Sequence, residues 1–275
     1  MCLIYQQHLQ QSGETAMLIP YIGITDFTDY QQIQLMQQIL ERNRPPESKY
    51  QLHAGVMMSR KTLRNLPTKW QSVFPPKEEI AKIFASDSAY NCLHYADYDH
   101  YLSEKGVMND LCEAIFWGGP NLKALQLDMI WPDPSDIFNA IHASRKNIEV
   151  ILQIGANALE EAGDRPELVV EKLADYQLVV QRVLLDKSMG RGLALDAEGL
   201  IPFISAIKEA FPNMGIGVAG GLGPETINLI KPLAKVFPGL SIDAQGRLRP
   251  SRNIKDPIDW EFAANYLVKA SHILS

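Results

Sequence analysis

The chain has 275 residues, 46% hydrophobic and 21% charged, which is enough apolar side chain for one large core and too little charge for long disorder. Its net charge of −6 repels a polyanion, so nucleic acid is not expected as a main partner. Cys2, Cys92 and Cys112 are odd in number and widely spaced, fitting neither a disulfide framework nor a zinc pattern.

The chain opens on polar, Gln-rich residues where a secretion signal would need a basic segment and an apolar run. No apolar stretch approaches the ~18 residues that span a bilayer. A cytoplasmic protein with no membrane attachment is therefore expected.

The apolar pattern alternates between short strand-like runs and longer helical stretches. Residues 17–24 read as a first buried strand, after which Asp26 or Thr28 can cap a helix to about Leu40. A second strand over 52–58 is followed by a Phe74-Pro75-Pro76 break and a helix over 77–84. A third strand over 91–96 leads to a helix over 103–116, and a fourth over 123–129 to one that starts at Pro134 and runs to about Ala143. The second half repeats the scheme. Strands are predicted over 148–154, 178–186, 214–221 and 240–246, with helices over 165–173 and 196–211, another opening at Gly223-Pro224-Glu225, and a last one from Asp256-Pro257 to about Ser271.

Eight strand–helix pairs, with strands apolar on both faces, predict a single (β/α)8 TIM barrel spanning residues 1–275. A doubly wound open sheet is the alternative. The stretch 59–76 is the longest early insertion and could serve as a lid.

In such a barrel the chemistry sits just past the strand ends. Gly220 and Gly221 end the seventh strand without a Cβ to block a ligand, and Pro224 suits the first turn of a helix whose N–H groups would point at the same spot. The eighth loop adds Gly246 and either Arg247 or Arg249, whose guanidinium matches a phosphate. A phosphate site shared by the seventh and eighth loops is thus expected.

Asp186 ends the sixth strand beside the Gly-containing segment 187–192, a suitable place for a general acid. Asp128, after the fourth strand, and Asp26, after the first, are candidate bases that could equally cap helices. Arg60 and Lys61 could hold a carboxylate, and Lys187 could form a Schiff base. His94 and Asp97 near the third strand make no metal triad, and His94 reads as a core or supporting histidine.

At these residues the sequence resembles phosphoribosylanthranilate isomerase, most clearly over its last third. Ala219-Gly220-Gly221-Leu222-Gly223-Pro224-Glu225 is similar to that family's phosphate-binding AGGL-x-P-E segment. Leu184-Leu185-Asp186 followed by Gly190-Arg191-Gly192 resembles its LLD…GG-x-G segment, whose aspartate is the general acid. Ile242-Asp243 through Gly246, Gln126 within Leu125-Gln126-Leu127-Asp128, and Ser59-Arg60 also resemble family segments.

The resemblance implies an aldose–ketose (Amadori-type) isomerisation of a phosphoribosyl compound. Asp186 would be the acid and Arg60, Gln126 and Gly192 substrate contacts. Tyr21-Ile22-Gly23-Ile24-Thr25 departs from the family's ICG-x-T segment, because Ile22 stands where the family carries its cysteine base. A small phosphorylated substrate is the expected partner, with no cofactor and no metal. A phosphate-binding barrel without catalysis is the alternative, and self-association is not readable.

Overall fold

The computed structural model describes residues 18–71, 73–98, 106–187 and 194–275. Its strands are β1 (Tyr21–Thr25), β2 (Gln51–Ser59), β3 (Tyr90–Ala96), β4 (Ala124–Asp128), β5 (Glu149–Gly155), β6 (Arg182–Asp186), β7 (Gly215–Ala219) and β8 (Ser241–Ala244). All pair in parallel in chain order, and β8 returns to β1, so the sheet is a closed barrel and not an open one. The longer helices outside it are α1 (Tyr30–Asn43), α4 (Met108–Trp117), α5 (Pro134–Ser144), α7 (Pro166–Ala174), α8 (Ala197–Ala210) and α10 (Trp260–Leu274). Short ones are α2 (Arg60–Leu63), α3 (Ile80–Ile83), α6 (Ala156–Glu161) and α9 (Lys231–Val236). Among the described residues no helix is long and apolar enough to cross a membrane.

The strands divide their side chains between two cores because successive residues point to opposite faces. Ile22 and Ile24 of β1 pack outward with Ile33 and Met36 of α1 and Leu267 of α10, in the large core between barrel and helices. Each such fully buried aliphatic side chain contributes about 1.5–3 kcal/mol. Tyr21 belongs to a separate inner cluster with Tyr90, Cys92, Ile151 and Leu184. Strand register then sets the mouth. Asp128 aligns with Ala96 on one side and Gln153 on the other, and Gly155 aligns with Asp186.

The N-terminal end of the lumen is closed by charge. Arg182, almost fully buried, donates to Glu149 at 2.8 Å, to Ser241 Oγ at 3.0 Å and to the Ile19 carbonyl at 3.2 Å. Its guanidinium lies 5.0 Å above the Tyr21 ring, a cation–π contact out of reach of water.

Several element ends differ from the sequence reading, each for a local reason. α1 is capped by Asp29, neither Asp26 nor Thr28, in a reciprocal box with Gln32. The last helix is capped by Asp259, whose carboxylate takes the Glu261 and Phe262 N–H groups, so it begins at Trp260 and not at Asp256. In the predicted strand over 178–186 only the last five residues are extended, since Val179 and Val180 turn back onto the Tyr176 carbonyl.

No helix opens at Gly223-Pro224-Glu225. Thr226 and Ile227 turn onto the Gly223 carbonyl, a 3-10 turn follows over Ile227–Ile230, and α9 is one and a half turns long. The helix expected over 103–116 is α4, and residues 99–105 lie outside the described residues.

Candidate active site at the C-terminal mouth of the barrel

A cavity of about 870 Å³ opens at the C-terminal mouth, where α/β barrels carry their active sites. Its deep wall is Asp243 of β8. Glycine makes room for this carboxylate, since a Cβ on Gly23 would stand 2.5 Å from Asp243 Oδ1. Thr25 Oγ1 donates to both carboxylate oxygens, at 2.9 and 3.1 Å. Burial pushes Asp243 up to about 7, while His94 and the Thr25 hydrogen bond pull it down.

The β3–β6 side of the mouth is one hydrogen-bonded arc. Tyr98 donates to Asp128 Oδ1 at 2.5 Å, and His94 Nε2 lies 3.6 Å from Asp128 Oδ2. Gln126 Nε2 approaches His94 Nδ1 at 3.2 Å and donates to Gln153 Oε1 at 2.8 Å, while Gln153 Nε2 reaches Asp186 Oδ2 at 3.5 Å. Burial works against a charge on His94. The Asp128 hydrogen bond and the charges of Asp128, Asp243 and Asp26 outweigh it, so its pKa stands above the ordinary histidine value. Asp128 and Asp186 are half-buried and both line the cavity.

Across the mouth lie the β7 and β8 loops. Gly220 and Gly221 adopt φ of +100° and +66°, a conformation that other residues enter only with strain, and both line the cavity. The Thr226 hydroxyl anchors this loop by donating to the Gly221 carbonyl at 2.7 Å. A Cβ on Gly223 would stand 2.6 Å from the Arg247 carbonyl oxygen, so the two loops touch directly. Gly246 and Arg247 complete this rim. With no helix opening at Pro224, this rim presents no helix N-terminus.

The stretch over 59–76 lines the remaining side with Arg60, Lys69, Trp70 and Phe74. Trp70 and Phe74 stack at 5.9 Å and 12°, with Lys69 Nζ 5.0 Å from the Trp70 ring. Arg60 donates to Asp110 at 3.0 Å, and Arg64 binds the other Asp110 oxygen.

The site residues expected from sequence separate accordingly. Asp186, Asp128, Gly220, Gly221, Gly246, Arg247 and Arg60 share the cavity wall. Asp26 also borders it, but Arg249 holds its Oδ2 at 2.7 Å and Gln245 its Oδ1 at 3.1 Å, so it latches β1 to the β8 loop. Gln126 is fully buried behind the wall and contacts His94 and Gln153 instead of the cavity.

Lys187 turns away toward α8, donating to the Gly199 carbonyl at 3.3 Å with its Nζ 4.8 Å from the Phe203 ring. It is not on the wall of this cavity. Gly192 lies outside the described residues. Among the described residues no group of three His, Cys, Asp or Glu could hold a metal.

Ile22 faces the helices, so its position does not look into the mouth at all. The residues that the sequence reading undervalued are His94, Gln153, Tyr98 and Asp243. Two-residue spacing on β3 and β4 puts His94 and Gln126 inward; their pairing with β5 needs the register.

No protein-family model matches the chain, and no curated protein sequence matches it. Among solved structures, N-(5'-phosphoribosyl)anthranilate isomerase from Pyrococcus furiosus superposes with a TM-score of 0.56 at 14% identity, covering 92% of this chain and 99% of that one. Active domain 2 of a thermostable chitinase from the same organism superposes with a TM-score of 0.54 at 13% identity, covering 94% of this chain and 98% of that one. One fold carries an isomerase and a chitinase, so these likenesses establish the barrel and leave function to the site.

Proposed function

We propose that the chain is an enzyme that isomerises a small phosphorylated sugar, of phosphoribosyl type, by aldose–ketose acid–base chemistry. One observation carries this reading: two carboxylates on β4 and β6, Asp128 and Asp186, open on a single cavity whose opposite rim is the Gly220–Gly221 turn with Gly246 and Arg247. The rim supplies backbone donors and one guanidinium for a phosphate. The carboxylates supply the proton transfers.

Asp186 gives its proton to the ring oxygen as the C1–O bond breaks, and the sugar opens. Asp128 then removes the C2 proton, and the freed pair forms the C1=C2 bond while the C1 double bond to its oxygen or nitrogen passes its pair to that atom. The resulting enol becomes the ketose as C1 takes a proton and the C2 hydroxyl gives one up. Each transfer is worth about 10²–10⁴-fold when the group is positioned. Tyr98 and His94, one on each oxygen, keep Asp128 in place. Arg60 stands at the far rim for a carboxylate on the substrate's other end. The likeness to the Pyrococcus isomerase supports the scaffold for this chemistry.

The test is a thermal-shift titration with inorganic phosphate, ribose, ribose 5-phosphate and a reduced phosphoribosylanthranilate product analogue. A ligand at 100 times its dissociation constant adds about 2.7 kcal/mol of stability. The phosphorylated compounds should stabilise, ribose should not, and Gly221→Asp should abolish the effect by placing a carboxylate in the anion site. If no phosphorylated ligand shifts the wild type at millimolar concentration, the reading fails. Binding without turnover of any phosphoribosyl compound would make the protein a binding barrel.

A further inference from the structure

We propose that the Asp26 carboxylate is a positioning group for the anion rim. By joining the two ends of the eighth loop it holds Gly246 and Arg247 against the glycine turn, and so sets how tightly the rim takes a phosphate that Asp26 itself does not touch. The use of this clasp rests on the phosphate reading above; the clasp itself needs no ligand.

Backbone pairing between β1 and β8 stops at Ile24–Ala244, so no ladder holds the eighth loop to β1 beyond that point. Asp26 takes over with its side chain. Its Oδ1 accepts from Gln245 Nε2 at 3.1 Å, and its Oδ2 accepts from Arg249 Nη2 at 2.7 Å. Between those two residues lie only Gly246, Arg247 and Leu248, a single 3-10 turn. One carboxylate thus closes into a ring the segment that carries both expected phosphate contacts of this loop.

Arg249 is committed to the same task. It is buried and does not line the cavity. Its Nε donates to the Asp256 carbonyl at 2.5 Å and its Nη1 to the Gln245 carbonyl at 2.9 Å, so with Asp26 every guanidinium nitrogen has a partner. A buried guanidinium stripped of its carboxylate is costly, which ties the loop to Asp26. Of the two arginines that could meet a phosphate, Arg247 is the one on the cavity wall.

The backbone of Asp26 points the same way. Its φ is +94°, a conformation that residues other than glycine enter with strain. Such strain persists where the surroundings over-determine it, and it gathers at ligand clamps. Here the Asp26 N–H donates to the Gly55 carbonyl of β2 at 3.0 Å while the carboxylate is gripped from the eighth loop. The effect reaches the seventh loop through Gly223, which packs on the Arg247 carbonyl with no room for a Cβ.

Two substitutions separate the clasp from its surroundings. Asp26→Asn leaves one acceptor oxygen where there were two, so it cannot serve Gln245 and Arg249 as the carboxylate does, and asparagine tolerates positive φ. Asp26→Gly suits the backbone and removes the clasp altogether. Should the asparagine variant fail to fold, the glycine variant decides alone.

Amide hydrogen exchange of the ligand-free protein is the first measurement. Leu248 and Arg252 donate within the eighth loop, and Thr226 and Ile227 within the seventh. All four should exchange faster in both variants, while the strands β3 to β6 keep their wild-type rates. Unchanged exchange at Thr226 and Ile227 overturns the proposal.

Calorimetric titration with inorganic phosphate is the second. The dissociation constant should rise about tenfold in either Asp26 variant, the scale on which loss of a supporting partner weakens a bound ion. It should stay at the wild-type value in Arg182→Met, whose lost contacts lie at the other end of the barrel. Combining Asp26→Asn with Arg247→Gln should weaken binding by less than the product of the two single effects, because both act through Arg247. An Asp26 pair that only stabilises the fold would leave the phosphate constant unchanged, and tighter binding in Asp26→Asn would make Arg249 the phosphate ligand. Either result overturns the proposal. A wild type that takes up no phosphate sinks the reading of the site and the use of the clasp with it, whereas the exchange rates still report whether the clasp exists.

Discussion

The two ends of the barrel lumen are both polar, yet they are built for opposite purposes. At the N-terminal end Arg182 has a partner on Nε, Nη1 and Nη2 and a ring beneath it, and it does not line the cavity at the mouth. At the mouth Asp128 and Asp186 are half-buried and share about 870 Å³ of open space. Buried charge alone therefore does not mark a site. A closed set of partners marks structure, and charge that opens on a cavity marks chemistry.

The largest effect expected is on the closed end. Arg182→Met would leave Glu149 without its guanidinium and orphan Ser241, and breaking a buried pair on one side costs about 3–5 kcal/mol. Chemical denaturation should show that loss, with phosphate-ligand affinity unchanged in the protein that remains folded. A loss below about 1 kcal/mol would mean that the end is less closed than its geometry says.

Asp186→Asn should invert the pattern. On the proposed reaction, kcat/KM should drop on the order of 10²–10⁴-fold, with stability within about 0.5 kcal/mol of wild type. Equal turnover in Asp186→Asn would break the assignment of the acid and with it the contrast between the two ends.

Asp243 lies between these extremes, walled by Thr25 and Gly23 yet exposed to the cavity, and pH can show which end it belongs to. Its carboxyl is raised from 3.8 to about 7 in the folded chain, so the folded protein binds more protons than the unfolded one across that window. Its contribution to stability is whole below about pH 4, declines as pH rises and is gone above about 7. The slope is at most about 1.4 kcal/mol per pH unit. The difference in stability between wild type and Asp243→Asn, followed by denaturation from pH 4 to 8, should carry that slope and lose it above 7. A flat difference would place an ionised Asp243 within a closed set of partners like that of Arg182.

How much of this was legible in the sequence follows from which interactions are local. Eight apolar runs separated by helical stretches announced the barrel, because parallel strands covered on both faces must read that way. The glycine pair announced its turn, and positive φ at Gly220 and Gly221 is what that pair permits. The helix after it was not legible, since Gly223-Pro224-Glu225 suits a helix start and a tight turn equally well. The Gln126–Gln153 contact spans neighbouring strands and needs the register of β4 on β5. Asp26 looked like any aspartate after a strand, and its partner Arg249 stands 223 residues away in the chain.

Ile22 gives the smallest effect and the sharpest check on the resemblance that the sequence carries. By sequence it occupies the place of a cysteine base, and restoring the cysteine would be the obvious way to restore a reaction. In the fold Ile22 packs outward with α1 and α10, fully buried in the large core. A thiol there would face aliphatic side chains, where burial keeps it protonated and inert. Ile22→Cys should therefore change no rate and only leave a small void, costing on the order of 1 kcal/mol by analogy with buried isoleucine truncations. Steady-state assays with phosphoribosyl compounds, alongside thermal unfolding, would check both halves. A gain in turnover in Ile22→Cys would mean that β1 presents its other face to the mouth during catalysis. The division between inner and outer cores would then fail at the strand on which the family resemblance is most exposed.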